Sequence, residues 1–321
     1  MADDVWTVKR ILNWIEGYLA QHGDENPRVS AQWLVSEALG VSRMQLFLDA
    51  ERPLTVDERA VLRDWTRRRG VGEPLQYITG KVAFRHIALN VRHGVLIPRP
   101  ETEVLVSEAM ALLPAAPKPQ DKLDAQLLRH YAELSGEAEA DEGDDAQETL
   151  LVADICTGSG CIACSMAFEH QNVHVVATDI SPDAVALALE NVMELGLEER
   201  VNVIECDLGE GIDSTLVGSL DLVVSNPPYI PTDVLDNLPD EVVGFEPSLA
   251  LDGGNDGLDV FRRLLDWSSY ALAPGGAIAF ELHETCLDEA ARLACGAGFC
   301  DVRIVEDLTG RPRVLCARKR S

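Results

Sequence analysis

Four consecutive residues, Asn226-Pro227-Pro228-Tyr229, come directly after the apolar run 220–225. Proline donates no backbone N–H and restricts the residue before it, so two in succession end a central strand in a stiff loop. Asn226 brings a side-chain carbonyl, Pro227 and Pro228 bring backbone carbonyls with few competing partners, and Tyr229 brings a flat aromatic face. Together they form an acceptor-rich clamp for a planar –NH2 group, either a carboxamide or the exocyclic amine of a base. The plainer alternative is a proline-terminated loop whose Asn caps the next turn. A glycine-rich, nucleotide-type loop upstream in the same chain favours the clamp, and the two together point to methyl transfer onto nitrogen.

That loop is Asp154-Ile155-Cys156-Thr157-Gly158-Ser159-Gly160, set between a predicted strand and a predicted helix. Glycines let a backbone approach a ligand at the carboxyl end of the first strand, where nucleotides bind in doubly wound folds. The next strand ends at Asp179, followed by Ile180-Ser181-Pro182, a helix-start signal. A carboxylate there can accept from both ribose hydroxyls, and the interval from Gly160 fits the ribose rule of about twenty residues. The alternative for Asp179 is a helix N-cap. Gly158-Ser159-Gly160-Cys161-Ile162-Ala163 also satisfies G-x-G-x-x-A, so the loop alone leaves NAD and S-adenosylmethionine both open. A third strand closes on Glu205-Cys206-Asp207-Leu208, where Asp207 either accepts from an adenine amino group or caps the next turn. The candidate cofactor-binding residues are Asp154, Cys156, Thr157, Gly158, Ser159, Gly160, Asp179, Ile180, Asp207, Leu208 and Asn226.

The elements that must position these residues are set by hydrophobic period. From Leu150 onward, strand patterns at 150–155, 173–178, 201–204, 220–225, 277–282 and 302–305, with another at 313–317, alternate with helical patterns at 161–169, 182–195, 258–272 and 286–297. Such alternation predicts an α/β fold, a doubly wound and mostly parallel sheet with helices on both faces. Residues 1–80 read as a small helical domain: Ile11, Leu12, Ile15 and Leu19 recur at helical spacing, as do Trp33, Leu34, Ala38 and Leu39. Ser30 is a candidate cap after a break at 24–27. Thr55 with Glu58 resembles a capping box, and Arg67-Arg68-Arg69 reads as a solvated helix end. Alternation over 82–91 predicts a β-hairpin within a linker at 81–100, leaving 101–321 as the catalytic domain. Its segment at about 115–149 is an acidic insertion, with a helix expected at 123–134 and a mobile loop at 136–148.

Apolar residues make up 46% and charged residues 25%, the balance of a folded globular protein rather than a disordered one. No apolar run reaches membrane-spanning length, and Met1-Ala2-Asp3-Asp4 lacks the basic and apolar regions of a signal peptide, so the expected compartment is the cytosol. The eight cysteines lie between Cys156 and Cys316; Cys161 and Cys164 form a Cys-x-x-Cys with no second pair at zinc-finger spacing, which favours packing over metal or redox work. The net charge of −27 is uneven: residues 1–100 hold 14 Lys+Arg against 12 Asp+Glu, whereas 151–321 hold 10 against 29. A catalytic half this acidic lacks the means to neutralise phosphates, which argues against a nucleic-acid substrate.

With these parts in place the chain resembles the release factor glutamine methyltransferases, the PrmC/HemK family. The resemblance runs through Gly72-Glu73-Pro74-Leu75-Gln76-Tyr77-Ile78-Thr79-Gly80, Ile97-Pro98-Arg99-Pro100-Glu101-Thr102-Glu103, the 154–160 loop, Asp179-Ile180-Ser181-Pro182-Asp183-Ala184 and Val224-Ser225-Asn226-Pro227-Pro228-Tyr229-Ile230. It continues in Glu246-Pro247-Ser248-Leu249-Ala250-Leu251-Asp252-Gly253-Gly254, Asp256-Gly257-Leu258 and Pro274-Gly275-Gly276. The resemblance implies a helical N-terminal domain that engages the release factor and a C-terminal domain that binds S-adenosyl-L-methionine. It further implies methylation of the side-chain amide nitrogen of the glutamine in the Gly-Gly-Gln loop of peptide chain release factors. The expected protein is a monomer with no direct nucleic-acid or membrane partner and no metal. Cys156 stands where the family usually has glycine, Glu281-Leu282-His283 replaces a common Glu-Ile-Gly, and Leu208 follows Asp207 where some members have an aromatic.

An amide nitrogen is a poor nucleophile because its lone pair is shared with its carbonyl. A site that holds one N–H on the Asn226 oxygen and the other on the Pro227 carbonyl, with Tyr229 against the flat amide, can aim that nitrogen at a methyl donor. Positioning of this kind supplies about 7–11 kcal/mol of a barrier in favourable cases. Two rivals use the same residues: methylation of an adenine amino group in DNA or RNA, and a non-catalytic cofactor-binding module that acts through its helical domain.

Overall fold

In the computed structural model residues 5–115 and 149–321 are described. The helix expected at 123–134 and the loop expected at 136–148 lie outside them. The chain divides into two compact units: Met1–Ala83 with Ala88–Ile97 and Asp233–Leu251, and Phe84–Ile87 with Pro98–Thr232 and Asp252–Ser321.

The first unit is built from helices α1 (Val8–Gln21), α2 (Pro27–Leu39), α3 (Arg43–Leu48), α4 (Val56–Arg69) and α5 (Leu75–Thr79). The starts of α1, α3 and α4 are set by side chains that satisfy orphan N–H groups. The Ser42 hydroxyl accepts from the Gln45 amide at 3.2 Å, ahead of α3. Thr55 and Glu58 form the full capping box, Glu58 N–H to Thr55 Oγ1 at 3.2 Å and Thr55 N–H to Glu58 Oε2 at 2.8 Å. Ser30 does not cap a helix. α2 begins at Pro27, whose missing N–H costs nothing in a first turn, and the Ser30 hydroxyl donates to Asp24 Oδ2 at 2.9 Å. Ile15, Leu19, Leu34 and Leu62 fill the core.

Only Arg67 of the basic run is a solvated helix end; it pairs with Asp64 at the surface. Arg68 donates to both oxygens of Glu73, at 2.8 and 2.5 Å. Arg69 Nε donates to Asp24 Oδ2 at 2.6 Å, and its Nη1 reaches Glu241 at 3.2 Å. Burial of Asp24 and Glu73 explains the difference, because a carboxylate removed from water requires a hydrogen-bonded cation beside it. His93 also meets Glu73, Nε2 to Oε1 at 2.8 Å, and its ring lies 6.1 Å from that of Phe245. Strands β1 (Lys81–Phe84) and β2 (Ile87–Asn90) pair as the expected hairpin, with alternate residues buried.

The second unit carries a seven-stranded sheet of order β5-β4-β3-β6-β7-β9-β8. Its strands are β3 (Leu150–Ile155), β4 (Val173–Asp179), β5 (Val201–Glu205), β6 (Leu220–Ser225), β7 (Leu272–Glu281), β8 (Phe299–Glu306) and β9 (Pro312–Lys319). The first five are parallel, β9 runs antiparallel to β7, and β8 runs antiparallel to β9. Among the described residues five helices accompany them: α6 (Thr102–Leu112), α7 (Cys161–Glu169), α8 (Pro182–Glu194), α9 (Asp259–Ala271) and α10 (Leu287–Gly296). This is the doubly wound, mostly parallel α/β fold. The strand order reverses between β3 and β6, which opens a crevice at their carboxyl ends. Phe261, Phe280, Leu220, Val223 and Ile278 are fully buried in the core of that unit.

Cys161, Cys164, Cys286 and Cys316 are buried within this unit, and no disulfide joins described residues. Burial pushes the Cys164 thiol up to about 12 and Cys316 up to about 11, so both stay protonated and pack as small apolar groups. No helix among the described residues is long and apolar enough to cross a membrane.

Candidate active site

The ends of β3 and β6 stand side by side, with Ile155 in register with Ser225. The buried Ser225 hydroxyl donates to the Ile155 carbonyl at 2.5 Å, which locks the two strand ends together where their loops diverge. One loop carries the glycines; the other is Asn226-Pro227-Pro228-Tyr229.

In the glycine loop Asp154 is fully buried. It accepts from the Thr157 hydroxyl at 2.6 Å and from the Ala163 amide at 3.1 Å, tying the loop to the first turn of α7. Burial pushes its carboxyl up to about 7, against the pull of those two hydrogen bonds. Asp154 thus works from beneath the loop. Gly158 (φ 57°) and Gly160 (φ 80°) occupy the left-handed region. A Cβ on Gly160 would lie 3.2 Å from that of Ala188, so glycine also lets α8 pack close to the loop. Cys156, at φ 60°, holds a left-handed conformation that a side chain disfavours, the physical counterpart of its standing in a glycine position. The Ser159 hydroxyl is buried and has no partner among the described residues.

Asp179 accepts from the Gly158 amide at 2.8 Å and from the Ser181 amide at 2.9 Å, one on each oxygen. It is not the cap of α8: Ser181 is, its hydroxyl accepting from the Ala184 amide at 3.4 Å. Three amide donors leave the carboxylate at least one of its four lone-pair directions, and Ile180 beside it exposes half its apolar surface. Burial raises the Asp179 pKa, opposed by the amides of Ser181, Gly158 and Ile180. Asp207 instead forms an ion pair with Arg263 of α9 at 2.6 Å. Leu208 is buried at φ 48°, and its carbonyl accepts from the Thr178 hydroxyl at 2.7 Å. A glycine cradle, a carboxylate with a free lone pair and an exposed apolar neighbour at adjoining strand ends suit a nucleoside cofactor.

At the second loop Asn226 is half-buried, and its Nδ2 donates to the hydroxyl of Thr102, the first residue of α6, at 3.2 Å. Its Oδ1 is left as the acceptor. Pro227 is buried and Pro228 half-buried. The Tyr229 hydroxyl donates to Glu281 Oε1, at the end of β7, at 3.1 Å. Glu281 is only 1% exposed, and burial holds its pKa above the ordinary carboxylate range, against the pull of the neighbouring Thr102 and Tyr229 hydroxyls and of Arg313. Tyr229 is pushed up in turn by burial and by Glu281, so its hydroxyl keeps its proton.

Backbone packing holds the loop from behind. Ile230 bridges to Asp252, and the Gly253 amide donates to the Ile230 carbonyl at 2.8 Å. A Cβ on Gly253 would stand 2.7 Å from Tyr229 Cα, and one on Gly257 would stand 2.4 Å from the Tyr229 carbonyl oxygen. The spacing of these glycines is visible in the sequence, but the steric reason for them is not. Thr102 and Glu281 also escape sequence reasoning, one as an ordinary helix start and the other as one letter in a strand. The available signal was an acidic residue closing an otherwise apolar core strand.

The PrmC N-terminal domain model matches residues 10–80, and the methyltransferase small domain model matches residues 144–238. The release factor glutamine methyltransferase of Geobacter sulfurreducens is 37% identical over 315 residues, 98% of each chain. That of Chlorobaculum tepidum is 35% identical over 306 residues, 95% of each. Among solved structures, a release factor-specific protein-(glutamine-N5) methyltransferase from Alicyclobacillus acidocaldarius is 29% identical, covering 70% of this chain and 95% of its own, with a TM-score of 0.37. Identity at this level along nearly the whole length, with Asn226-Pro227-Pro228-Tyr229 standing at the switch point of the sheet, places the chain in the family of release factor glutamine methyltransferases.

Proposed function

We propose that this chain methylates the side-chain amide nitrogen (N5) of the glutamine in the Gly-Gly-Gln motif of peptide chain release factors, using S-adenosyl-L-methionine. The observation that carries this reading is the hydrogen bond of Asn226: with Nδ2 donating to Thr102, Oδ1 is left to accept from a substrate.

The cofactor supplies a methyl group activated by a sulfonium. Gly158 to Gly160 and Asp179 would hold its nucleoside, with Cys156, Thr157 and Ile180 lining the approach. The glutamine amide donates one N–H to Asn226 Oδ1 and the other to the Pro227 carbonyl, and the Tyr229 ring lies along the amide plane. Held so, the nitrogen would be aimed at the methyl group that the cofactor supplies, and the one proton shed on methylation would pass to water. No general base is required, which suits a clamp made only of acceptors and a protonated tyrosine.

Residues 1–80 would engage the release factor, 81–100 link, and 101–321 catalyse, in a monomeric enzyme. The acidic balance of 151–321 disfavours adenine in DNA or RNA as the acceptor. Purified release factor, a duplex DNA and an RNA are each incubated with the enzyme and labelled S-adenosylmethionine, and the products are analysed by mass spectrometry. One added methyl mapped to the Gly-Gly-Gln glutamine is the expected result. Label in the nucleic acids alone overturns the reading, and no label anywhere leaves the non-catalytic module.

A further inference from the structure

The sequence leaves Asp207 open as a turn cap or an adenine contact, and its side chain caps no turn. Among the described residues that side chain takes one hydrogen bond, from Arg263 Nη2 to Oδ2 at 2.6 Å, so Oδ1 is left as an acceptor. Its place is set from two sides. Glu205, at the end of β5, pairs with Asp179 at the end of β4, and the Cys206 amide donates to the Asp179 carbonyl at 3.0 Å. The Leu208 carbonyl accepts from the Thr178 hydroxyl at 2.7 Å. Asp207 therefore stands at the carboxyl edge of the sheet, one strand over from the carboxylate that suits a ribose, where these folds bind nucleosides.

On the other side lies α9. Arg263 and Trp267 are four residues apart and share one face of that helix. Trp267 is 6% exposed and covers Gly209, where a Cβ would stand 2.1 Å from its indole ring. One helix face thus presses on the turn at Gly209 and grips its carboxylate at Asp207. Exposed ion pairs add little to stability, and this one is open to water. Its effect lies in the direction that it gives the carboxylate.

We propose that Arg263 is a positioning residue for the cofactor base: by occupying Asp207 Oδ2 it dedicates Oδ1 to the 6-amino group of adenine. This rests on the cofactor part of the proposed function and not on the identity of the methyl acceptor. A carboxylate free to rotate spreads its acceptors over many directions, whereas one anchored through Oδ2 aims the other oxygen one way. Asp207 then favours a base with an amine at this edge over one without it, because the second leaves Oδ1 unpaired.

Orientation by Arg263 has a signature that packing alone would not leave. In Asp207→Asn the side chain keeps a single oxygen, and Arg263 takes it. The asparagine NH2 is then turned to the adenine NH2, donor against donor. Removing Arg263 from that variant lets the asparagine rotate and offer its oxygen. The second substitution should therefore repair the first.

The test measures calorimetric binding of S-adenosylhomocysteine and of its 6-deamino analogue, which carries purine in place of adenine. Full-length wild type, Asp207→Asn, Arg263→Met and the double variant are compared; methionine keeps the apolar stem of Arg263 and removes its donors. A hydrogen bond to a charged group corresponds to about a tenfold to hundredfold preference for the adenine ligand in wild type. Asp207→Asn should abolish or invert that preference, and Arg263→Met should lower it by about threefold or more. The double variant should bind S-adenosylhomocysteine more tightly than Asp207→Asn does. Equal affinities for the two ligands in wild type overturn the inference. So does an Asp207→Asn variant that keeps the wild-type preference, or a double variant no tighter than Asp207→Asn. If the Arg263 variants do not fold, Asp207→Asn decides alone, loss of preference supporting the inference and retention overturning it. A wild type that binds neither ligand overturns the cofactor reading and the inference together. Methyl transfer to release factor by an enzyme with no preference between the ligands sinks the inference alone, and the expected preferences in an enzyme inactive on release factor sink only the functional reading.

Discussion

A methyl group on Gly257 would lie 2.4 Å from the carbonyl oxygen of Tyr229, closer than any real side chain approaches. Gly257 also sits at φ +75°, so alanine there meets backbone strain and a clash together. Gly257→Ala is expected to push the Tyr229 end of the clamp out of place, lowering kcat tenfold or more and costing about 1–3 kcal/mol of stability. Steady-state kinetics with calorimetric cofactor binding check it; an unchanged kcat would show that the glycine contact does not set the loop.

Removing the Asn226 side chain deletes one of the two acceptors while leaving the nucleoside side of the crevice intact. Asn226→Ala should abolish measurable methyl transfer, a loss of at least about a hundredfold, and largely spare S-adenosylmethionine affinity. Retained turnover in that variant removes the clamp from the mechanism.

Asp179 ties the Gly158 amide to the end of β4, and its three amide donors leave at least one lone pair of the carboxylate unused. Asp179→Ala should weaken cofactor binding about tenfold to hundredfold by calorimetry. At saturating cofactor kcat should change much less. The opposite split, with affinity intact and kcat lost, would place Asp179 outside the ribose site.

Asp154 carries a pH signature. Its native pKa of about 7 lies above the ordinary aspartate value of 3.8. Below pH 4 the acid is neutral folded and unfolded, and its contribution to stability is fully present. As pH rises to 7 the unfolded chain ionises first, so that contribution is lost, on the order of 4 kcal/mol, and levels off above 7. Urea unfolding of wild type and Asp154→Asn at several pH values should show the wild type losing ground to the variant over that window. A constant difference would mean that Asp154 titrates normally.

Much of this arrangement was legible in the residues because the signals are local. Two prolines after an apolar run stop a strand, glycines at fixed spacing make a loop, and Thr55 with Glu58 closes a cap within four residues. The parts that were not legible depend on partners far along the chain. Arg69 reads as a surface cation until Asp24, 45 residues away, takes its guanidinium at 2.6 Å. Glu281 gains its partner from Tyr229, 52 residues before it. Strand β7 starts at Leu272 rather than at 277, because Leu272 pairs with Leu220 across a register shift and carries the strand through Pro274-Gly275-Gly276.

Residues Asp233–Leu251 belong with the helical unit although they are encoded deep within the catalytic half. A fragment cut at Ile97 would strip Glu241 from Arg69 and the Phe245 ring from His93. No single scissor stroke therefore frees a complete helical module. Anyone exporting it to another scaffold has to splice 233–251 back onto the amputated piece, or graft the two stretches as a permuted chimera.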